Sequence, residues 1–138
     1  MKDIQVVFFG NRRIQQAIDH SLNSNHRISV AASTGSSVAL FPLLEQHNPQ
    51  LVVLENRQER ANILPLIRKI RRRYPLLKLL ILAHSIDISQ VREWISIGVS
   101  GCLLLKTSLD GLAASIHLIL DGKLILSSEI MQALLSVD

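Results

Sequence analysis

The sequence contains few of the residues on which disulfide-bonded folds, zinc sites and base-stacking surfaces depend. It has one cysteine, so an intrachain disulfide is excluded and we expect a reducing, cytoplasmic location. Its five histidines do not follow metal-ligand spacing, so we expect no metal site. Aromatic residues make up 4% of the chain and do not alternate with cationic residues, which argues against direct binding of nucleic acid.

Membrane-spanning and secretory segments are not expected either. No uninterrupted apolar run reaches the roughly 18 residues of a membrane span, so we expect no membrane partner. The first apolar run, Ile4–Phe9, is followed by Arg12 and Arg13, which is the wrong order for a secretory signal. An apolar share of 48% with 19% charged residues predicts a folded chain, and the net charge of +4 favours acidic partners only weakly.

Short apolar runs alternate with segments of helical periodicity. Five runs are typical of buried strands: Val6–Phe9, Ile28–Ala32, Leu51–Leu54, Leu79–Leu82 and Cys102–Leu104. Helices are predicted over Arg12–Leu22, Ser36–Gln46, Ile63–Tyr74, Ile88–Ile97, Ser108–Leu120 and Ser127–Leu135. We expect Pro42 to kink or shorten the second helix and Ser108 to cap the fifth. Five βα units predict an α/β fold with a doubly wound, five-stranded parallel sheet in the flavodoxin-like order 2-1-3-4-5.

Ligands of such sheets bind where the strands end, and here those ends carry little reactive chemistry. They offer Gly10 and Asn11, then Glu55, then Ala83 and His84, then Leu105 and Lys106. A single carboxylate among small and apolar neighbours cannot hold a metal ion. There is also no nucleophile with a positioned base and no glycine-rich phosphate loop, so we expect neither an enzyme nor a bound cofactor.

Several segments resemble the receiver domain of response regulators. They are residues 48–55 (NPQLVVLE), 67–75 (IRKIRRRYP) and 78–83 (KLLILA), followed by 91–93 (VRE), 98–104 (GVSGCLL) and 121–130 (DGKLILSSEI). The later segments are similar to the NarL/FixJ branch, whose members carry a LuxR-type helix-turn-helix output domain. The resemblance implies a receiver-like domain over residues 1–122. Residues 123–138 would be a C-terminal extension with a short helix, which would begin a linker if the native chain continues into an output domain.

The resemblance also implies that the phosphorylation site has been replaced. Receivers of the usual kind end the first strand in two acidic residues that hold magnesium, and these positions are Gly10 and Asn11 here. The phosphate-accepting aspartate corresponds to Glu55, whose carboxylate extends one methylene further. The hydroxyl that senses the phosphate corresponds to Ala83, which has none.

The lysine that pairs with the phosphoryl group corresponds to Leu105. Lys106 lies one residue late and, by strand alternation, is expected to point to the other face. Phosphoryl transfer needs a cation to neutralise charge on the phosphoryl oxygens. The resemblance therefore implies a pseudo-receiver in which aspartyl phosphorylation is lost.

Two roles for Glu55 are open from the sequence. Its carboxylate mimics a phosphorylated aspartate, or it pairs with Arg57, Arg12 or Arg13 and gives local order. We favour the second role, because a mimic needs the sensing hydroxyl and the lysine to bias a two-state element, and both are missing.

The expected function is a phosphorylation-independent regulatory module that controls transcription through dimerisation, a partner protein or an attached DNA-binding domain. The alternative is a sensor that binds a small anion or metabolite in the emptied pocket beside Gly10, Ala83 and Leu105. Its cationic rim would be formed by Arg12, Arg13, Arg57 and Lys106.

Surface candidates complete the sequence-based predictions. The interface of a homodimer is expected to include Ile88, Trp94, Ile95 and Leu118, although Trp94 also fits the volume next to Ala83. The cationic run Arg68–Arg73 is interpreted as the solvated end of a helix, where positive charge is favourable, in preference to a nucleic-acid site.

Overall fold

The computed structural model describes residues 4–22, 27–56 and 63–136, in which helices alternate with parallel strands. Within these residues the strands are β1 (Ile4–Phe9), β2 (Ile28–Thr34), β3 (Leu51–Asn56), β4 (Lys78–Ala83), β5 (Gly101–Leu104) and β6 (Ile125–Leu126). The α-helices are α1 (Arg12–Leu22), α2 (Ser37–His47), α3 (Leu64–Arg73), α4 (Ile88–Ser96), α5 (Leu105–Ser108), α6 (Leu112–Leu120) and α7 (Ser128–Leu135). A 3₁₀-helix over Leu109–Gly111 joins α5 to α6.

The sheet is parallel and has the order β2-β1-β3-β4-β5-β6. This order confirms the predicted 2-1-3-4-5 arrangement, but the predicted count of five strands is wrong because β6 adds a sixth at the edge. Two residues are too short for a periodic signal, and β6 is defined by its pairing with Gly101 and Cys102. The hydroxyl of Ser127 strengthens this edge by accepting a hydrogen bond from the Leu104 N–H at 2.7 Å.

The strands carry apolar side chains on both faces, which is typical of a parallel sheet covered on both sides by helices. One core contains buried residues of α2, α3, α4 and α7 against alternate residues of β1, β3 and β4. The other core contains buried residues of α1 and α6 against the remaining strand residues. Ile130 of α7 is fully buried, so the segment after residue 122 packs on the same sheet as the rest of the chain.

Two helix predictions are corrected. Pro42 lies inside α2, yet the helix runs uninterrupted for 11 residues from a Ser36 cap. Pro42 and the residue one turn before it, Val38, are both exposed, so water can satisfy the carbonyl that proline leaves without a donor. The fifth helix predicted over Ser108–Leu120 is divided, because α5 ends at Ser108 and α6 begins only at Leu112. The predicted cap by the Ser108 side chain lies outside what the structure describes.

Arg71 ties α3 to the end of α4. Its guanidinium donates hydrogen bonds to the carbonyls of Ile97 and Gly98 after α4 and to those of Tyr74, Pro75 and Leu77 before β4. Burial lowers the pKa of Arg71 from its ordinary value. The carbonyl acceptors offset the cost of that burial, so the charge serves to fix the two chain segments together.

Cys102 is a free cysteine in the centre of β5. Burial raises the pKa of its thiol to about 12, so the side chain is protonated at neutral pH and behaves as a small apolar group. Within the part of the chain that the structure describes, no helix combines the length and apolar character needed to cross a membrane.

Trp94 is a core residue. Its side chain is 1% exposed and belongs to the same apolar cluster as Ala83, Val91 and Val99. The interface role predicted for Trp94 is therefore wrong for the folded chain, whereas the alternative of filling volume near Ala83 agrees with the structure.

We expect Trp94→Ala to lower the free energy of unfolding by about 3–5 kcal/mol, because it removes a large buried side chain and leaves a cavity. Urea unfolding followed by circular dichroism measures this change. Val38→Ala is the matched control, since Val38 is 83% exposed and its truncation should change stability by less than about 0.5 kcal/mol. A Trp94→Ala variant as stable as the control would contradict the core assignment.

Candidate functional site

The carboxyl ends of β1, β3 and β4 meet around one buried carboxylate. Glu55 lies near the end of β3, and its side chain is 0% exposed. The β3–β4 ladder continues past the strands, because the His84 N–H donates to the Asn56 carbonyl at 3.3 Å. This pairing brings the first residue after β4 to the carboxylate of Glu55.

Both oxygens of Glu55 have hydrogen-bond partners. Oε1 accepts from the backbone N–H of Asn11 at 2.9 Å, and Oε2 lies 2.7 Å from His84 Nε2. A buried carboxylate is costly without such partners, and here one comes from the backbone after β1 and one from the side chain after β4. The carboxylate therefore joins three strand ends into one unit.

Two of the three predicted arginine partners, Arg12 and Arg13, do not pair with Glu55. Arg12 and Arg13 are exposed, and the ion pairs within the described residues join Glu55 to His84 and not to either arginine. Arg57, the third predicted partner, lies outside the described residues. The interpretation of Glu55 as a residue that gives local order agrees with its contacts, with His84 in place of an arginine.

Gly10 and Asn11, at the positions of the missing acidic pair, support this arrangement. A Cβ atom on Gly10 would lie 2.4 Å from Glu55 Oε1 and 2.5 Å from Phe8 Cζ, so only glycine leaves room for the buried carboxylate. Asn11 supplies its N–H to Glu55 and uses its Oδ1 to accept from the Ile14 N–H at 2.9 Å, which caps α1. Neither residue offers a free oxygen ligand pair for a cation.

The two other positions that the receiver resemblance singled out, Ala83 and Leu105, are both buried. Ala83 is 1% exposed and belongs to the apolar core, so no hydroxyl faces the carboxylate from the end of β4. Leu105 is also buried and begins α5 directly after β5. Both positions therefore present apolar side chains to the interior.

The predicted orientation of Lys106 is wrong. Strand alternation does not apply to it, because β5 ends at Leu104 and the chain turns into α5. Lys106 lines the same open pocket as Leu105 and His84, together with Leu109 and Asp110. The volume of this pocket is about 450 Å³.

His84 is the residue of the site that sequence reasoning missed as a partner of Glu55. The signal was its position, because His84 directly follows β4 and Glu55 lies next to the last residue of β3, and neighbouring parallel strands bring such residues together. The spacing of His84 to the other histidines, which was considered as a sign of metal binding, could not reveal this role, because His84 pairs with a carboxylate. Among the residues that the structure describes, no group of three or more His, Cys, Asp or Glu side chains is arranged to hold a metal ion.

We expect Gly10→Ala to lower the free energy of unfolding by about 1–3 kcal/mol, because the new methyl group displaces the Glu55 carboxylate or the Phe8 ring. Gly111→Ala is the matched control, since a Cβ there meets nothing within 4 Å and its φ of −103° suits any residue. Chemical unfolding of both variants measures the difference. Equal stability of the two would show that the close packing around Glu55 is not required.

Known proteins resemble this chain in sequence and in fold. No protein-family model matches the chain. It is 24% identical over 120 residues to the transcriptional regulatory protein DegU of Brevibacillus brevis, which covers 86% of this chain and 51% of that protein. The chain thus spans about half the length of the curated relative that it matches.

Solved receiver structures share the fold closely. The RcsB response regulator of Salmonella typhimurium has a TM-score of 0.88 at 16% identity, covering 99% of this chain and 69% of that one. The receiver domain of NarL from Mycobacterium tuberculosis has a TM-score of 0.77 at 14% identity, covering 89% of this chain and 100% of that one. The fold of this chain is therefore that of the receiver domain of response regulators, as found in regulators of the LuxR and NarL families.

Proposed function

We propose that the chain is a regulatory module that works without aspartyl phosphorylation. The observation that carries this proposal is the buried Glu55 carboxylate, whose two oxygens are occupied by Asn11 and His84. A phosphate acceptor must instead present a free oxygen next to a cation that neutralises the transferred group. The Gly10 and Asn11 positions offer no carboxylate for such a cation.

The proposed output of the module is control of transcription. DegU, the curated relative, is a transcriptional regulatory protein, and one RcsB structure contains two dimers bound to two parallel DNAs. By analogy, the module acts through dimerisation, a partner protein or a DNA-binding output domain attached beyond a linker. In this proposal residues 1–122 form the receiver-like domain. Residues 123–138, whose Ile130 packs on the same sheet, precede the proposed linker. The module would act in the cytoplasm.

The proposed dimer interface uses apolar side chains of α4 and α6. Ile88 and Ile95 are half-buried on α4, and Leu118 is 43% exposed on α6. Trp94 is left out of this surface because the folded chain buries it. Burial of exposed and half-buried apolar side chains against a second protein surface stabilises a dimer. Ile88, Ile95 and Leu118 are therefore the residues proposed for the interface.

A second candidate function is that of a ligand sensor, and a specific observation favours it. The pocket lined by His84 and Lys106 is open and has the size of small-molecule sites in general. It lies beside the former phosphorylation site, but not over Gly10 and Ala83 as the sequence suggested. Of the predicted cationic rim, Lys106 lines this pocket, Arg12 and Arg13 do not, and Arg57 lies outside the described residues.

We expect incubation with acetyl phosphate and magnesium to give no mass gain of one phosphoryl group. Glu55 is occupied, and within residues 4–22, 27–56 and 63–136 no group of three or more His, Cys, Asp or Glu side chains is arranged to hold a metal ion. Intact-mass spectrometry measures the outcome. The receiver domain of Salmonella RcsB, solved in the presence of the phosphomimetic BeF₃⁻, is the positive control. A stoichiometric, base-labile adduct at Glu55 would overturn the proposal.

If α4 and α6 form the dimer interface, Leu118→Asp and Ile95→Asp should each weaken self-association by at least about tenfold, because a charge would be buried between the protomers. Sedimentation equilibrium gives the dissociation constants. Val38→Asp is the control, since Val38 is exposed on α2, which packs beside β1 and β2 at the far end of the sheet. Dimers of unchanged affinity in both α4 and α6 variants would exclude this interface.

A further inference from the structure

We propose that His84 and Lys106 bind a small anion in the pocket beside Glu55, and that Asp110 selects ligands that also carry a hydrogen-bond donor. The ligand class is a phosphate monoester with a hydroxyl or ammonium group. This inference rests on the second proposed function, that of a sensor, and gives it a site and a chemistry. We call the cavity lined by His84, Leu105, Lys106, Leu109 and Asp110 the His84 pocket.

His84 is oriented toward the pocket by a buried partner. Its Nε2 is held at 2.7 Å from Glu55 Oε2, while its side chain is 38% exposed and lines the pocket. Among the described residues, nothing bonds to the second ring nitrogen, Nδ1. A carboxylate that fixes one imidazole nitrogen and leaves the other accessible is the usual means of orienting a functional histidine.

The number of N–H donors on the imidazole ring determines how His84 can bind an anion. The neutral ring has one N–H, which the Glu55 carboxylate accepts from Nε2, so Nδ1 can donate to an anion only after it takes up a proton. The charged groups of the pocket that also face His84 are Lys106 and Asp110. In the bound state Nε2–H therefore faces Glu55 and Nδ1–H faces the anion.

Lys106 supplies the second positive group. It is exposed on α5, and it forms no ion pair with the described residues, not even with Asp110 in the same pocket. An ammonium group on a flexible stem can follow an anion into the pocket. The buried Leu105 and the partly buried Leu109 form the apolar part of the wall.

Asp110 determines which anions fit. Its carboxylate repels a simple anion such as inorganic phosphate, yet it accepts a hydrogen bond from a hydroxyl or ammonium group on the same ligand. The volume of about 450 Å³ accommodates a ligand larger than phosphate alone. The pocket thus favours ligands that carry an anionic group and a hydroxyl or ammonium group over ligands that carry the anionic group alone.

The position of His84 suits a sensor. His84 follows β4, and three residues later Asp87 caps α4 by accepting from the Gln90 N–H. A ligand that fixes the imidazole between itself and Glu55 stabilises the chain between the sheet and α4. Occupancy of the pocket is thereby linked to a helix of the proposed dimer interface.

The test uses isothermal titration calorimetry with two matched probes, phosphoethanolamine and ethyl phosphate, which differ in the ammonium group. The protein should bind phosphoethanolamine at least about fivefold more tightly than ethyl phosphate, and Asp110→Asn should remove this preference while tightening ethyl phosphate.

His84→Gln and Lys106→Gln should each weaken phosphoethanolamine binding by about tenfold or more, whereas His20→Gln and Lys123→Gln, exposed cationic positions elsewhere, should not. Lys106 is exposed, so its variant keeps the inference testable even if the loss of His84 disturbs the fold. Absence of saturable binding would overturn the inference, as would equal losses in the Lys123 and Lys106 variants. Neither result bears on phosphorylation, because only covalent transfer to Glu55 changes the protein mass.

Discussion

The hydrogen bonds of the buried Glu55 carboxylate are the interaction on which the rest of the site depends. They connect the backbone after β1, the end of β3 and the side chain after β4, and they bury the carboxylate completely. A carboxylate so enclosed must keep both partners, since removing one leaves an uncompensated charge. This requirement explains why Gly10 lacks a side chain and why Asn11 donates its N–H inward while its side chain turns to cap α1.

Helix α4 is fixed at three points along its length. His84 and Asp87 set the approach to its first turn, Trp94 anchors its middle in the core with Ala83, and Arg71 binds the carbonyls that follow its last turn. Packed cores and buried charged groups change state in discrete steps, so three such anchors favour a single arrangement of this helix. In the proposed function, a module held in one state is controlled by association or by ligand binding.

The overall fold followed from the sequence because its determinants are local and periodic. Runs such as Leu51–Leu54 have no polar interruption, and helices such as α3 carry apolar residues at helical spacing up to a proline stop. The errors lie where the deciding contact is tertiary. Strand β6 exists because of its pairing with β5, and the residues around Ser108 form a short helix and a 3₁₀ turn before α6.

The candidate site could be predicted only in part, and the reason is geometric. The replaced positions Gly10, Glu55 and Ala83 could be identified from strand ends alone, because parallel strands bring their carboxyl ends to one edge. The partner of Glu55 could not be predicted, since an exposed arginine and a histidine are both plausible until burial is known. Among the described side chains, His84 is the one that contacts this fully buried carboxylate.

The side to which the Lys106 side chain points could not be predicted from the sequence either. Alternation of side chains holds only while a strand continues, and β5 ends two residues earlier, at Leu104. The turn into α5 then places consecutive residues, Leu105 and Lys106, along one pocket instead of on opposite faces. Within the described residues, the cation that the sequence assigned to the other face therefore lines the same pocket as His84, whose imidazole is oriented by the buried Glu55 carboxylate. The change in backbone direction after β5 is what removes Lys106 from the alternation of the strand and places it there.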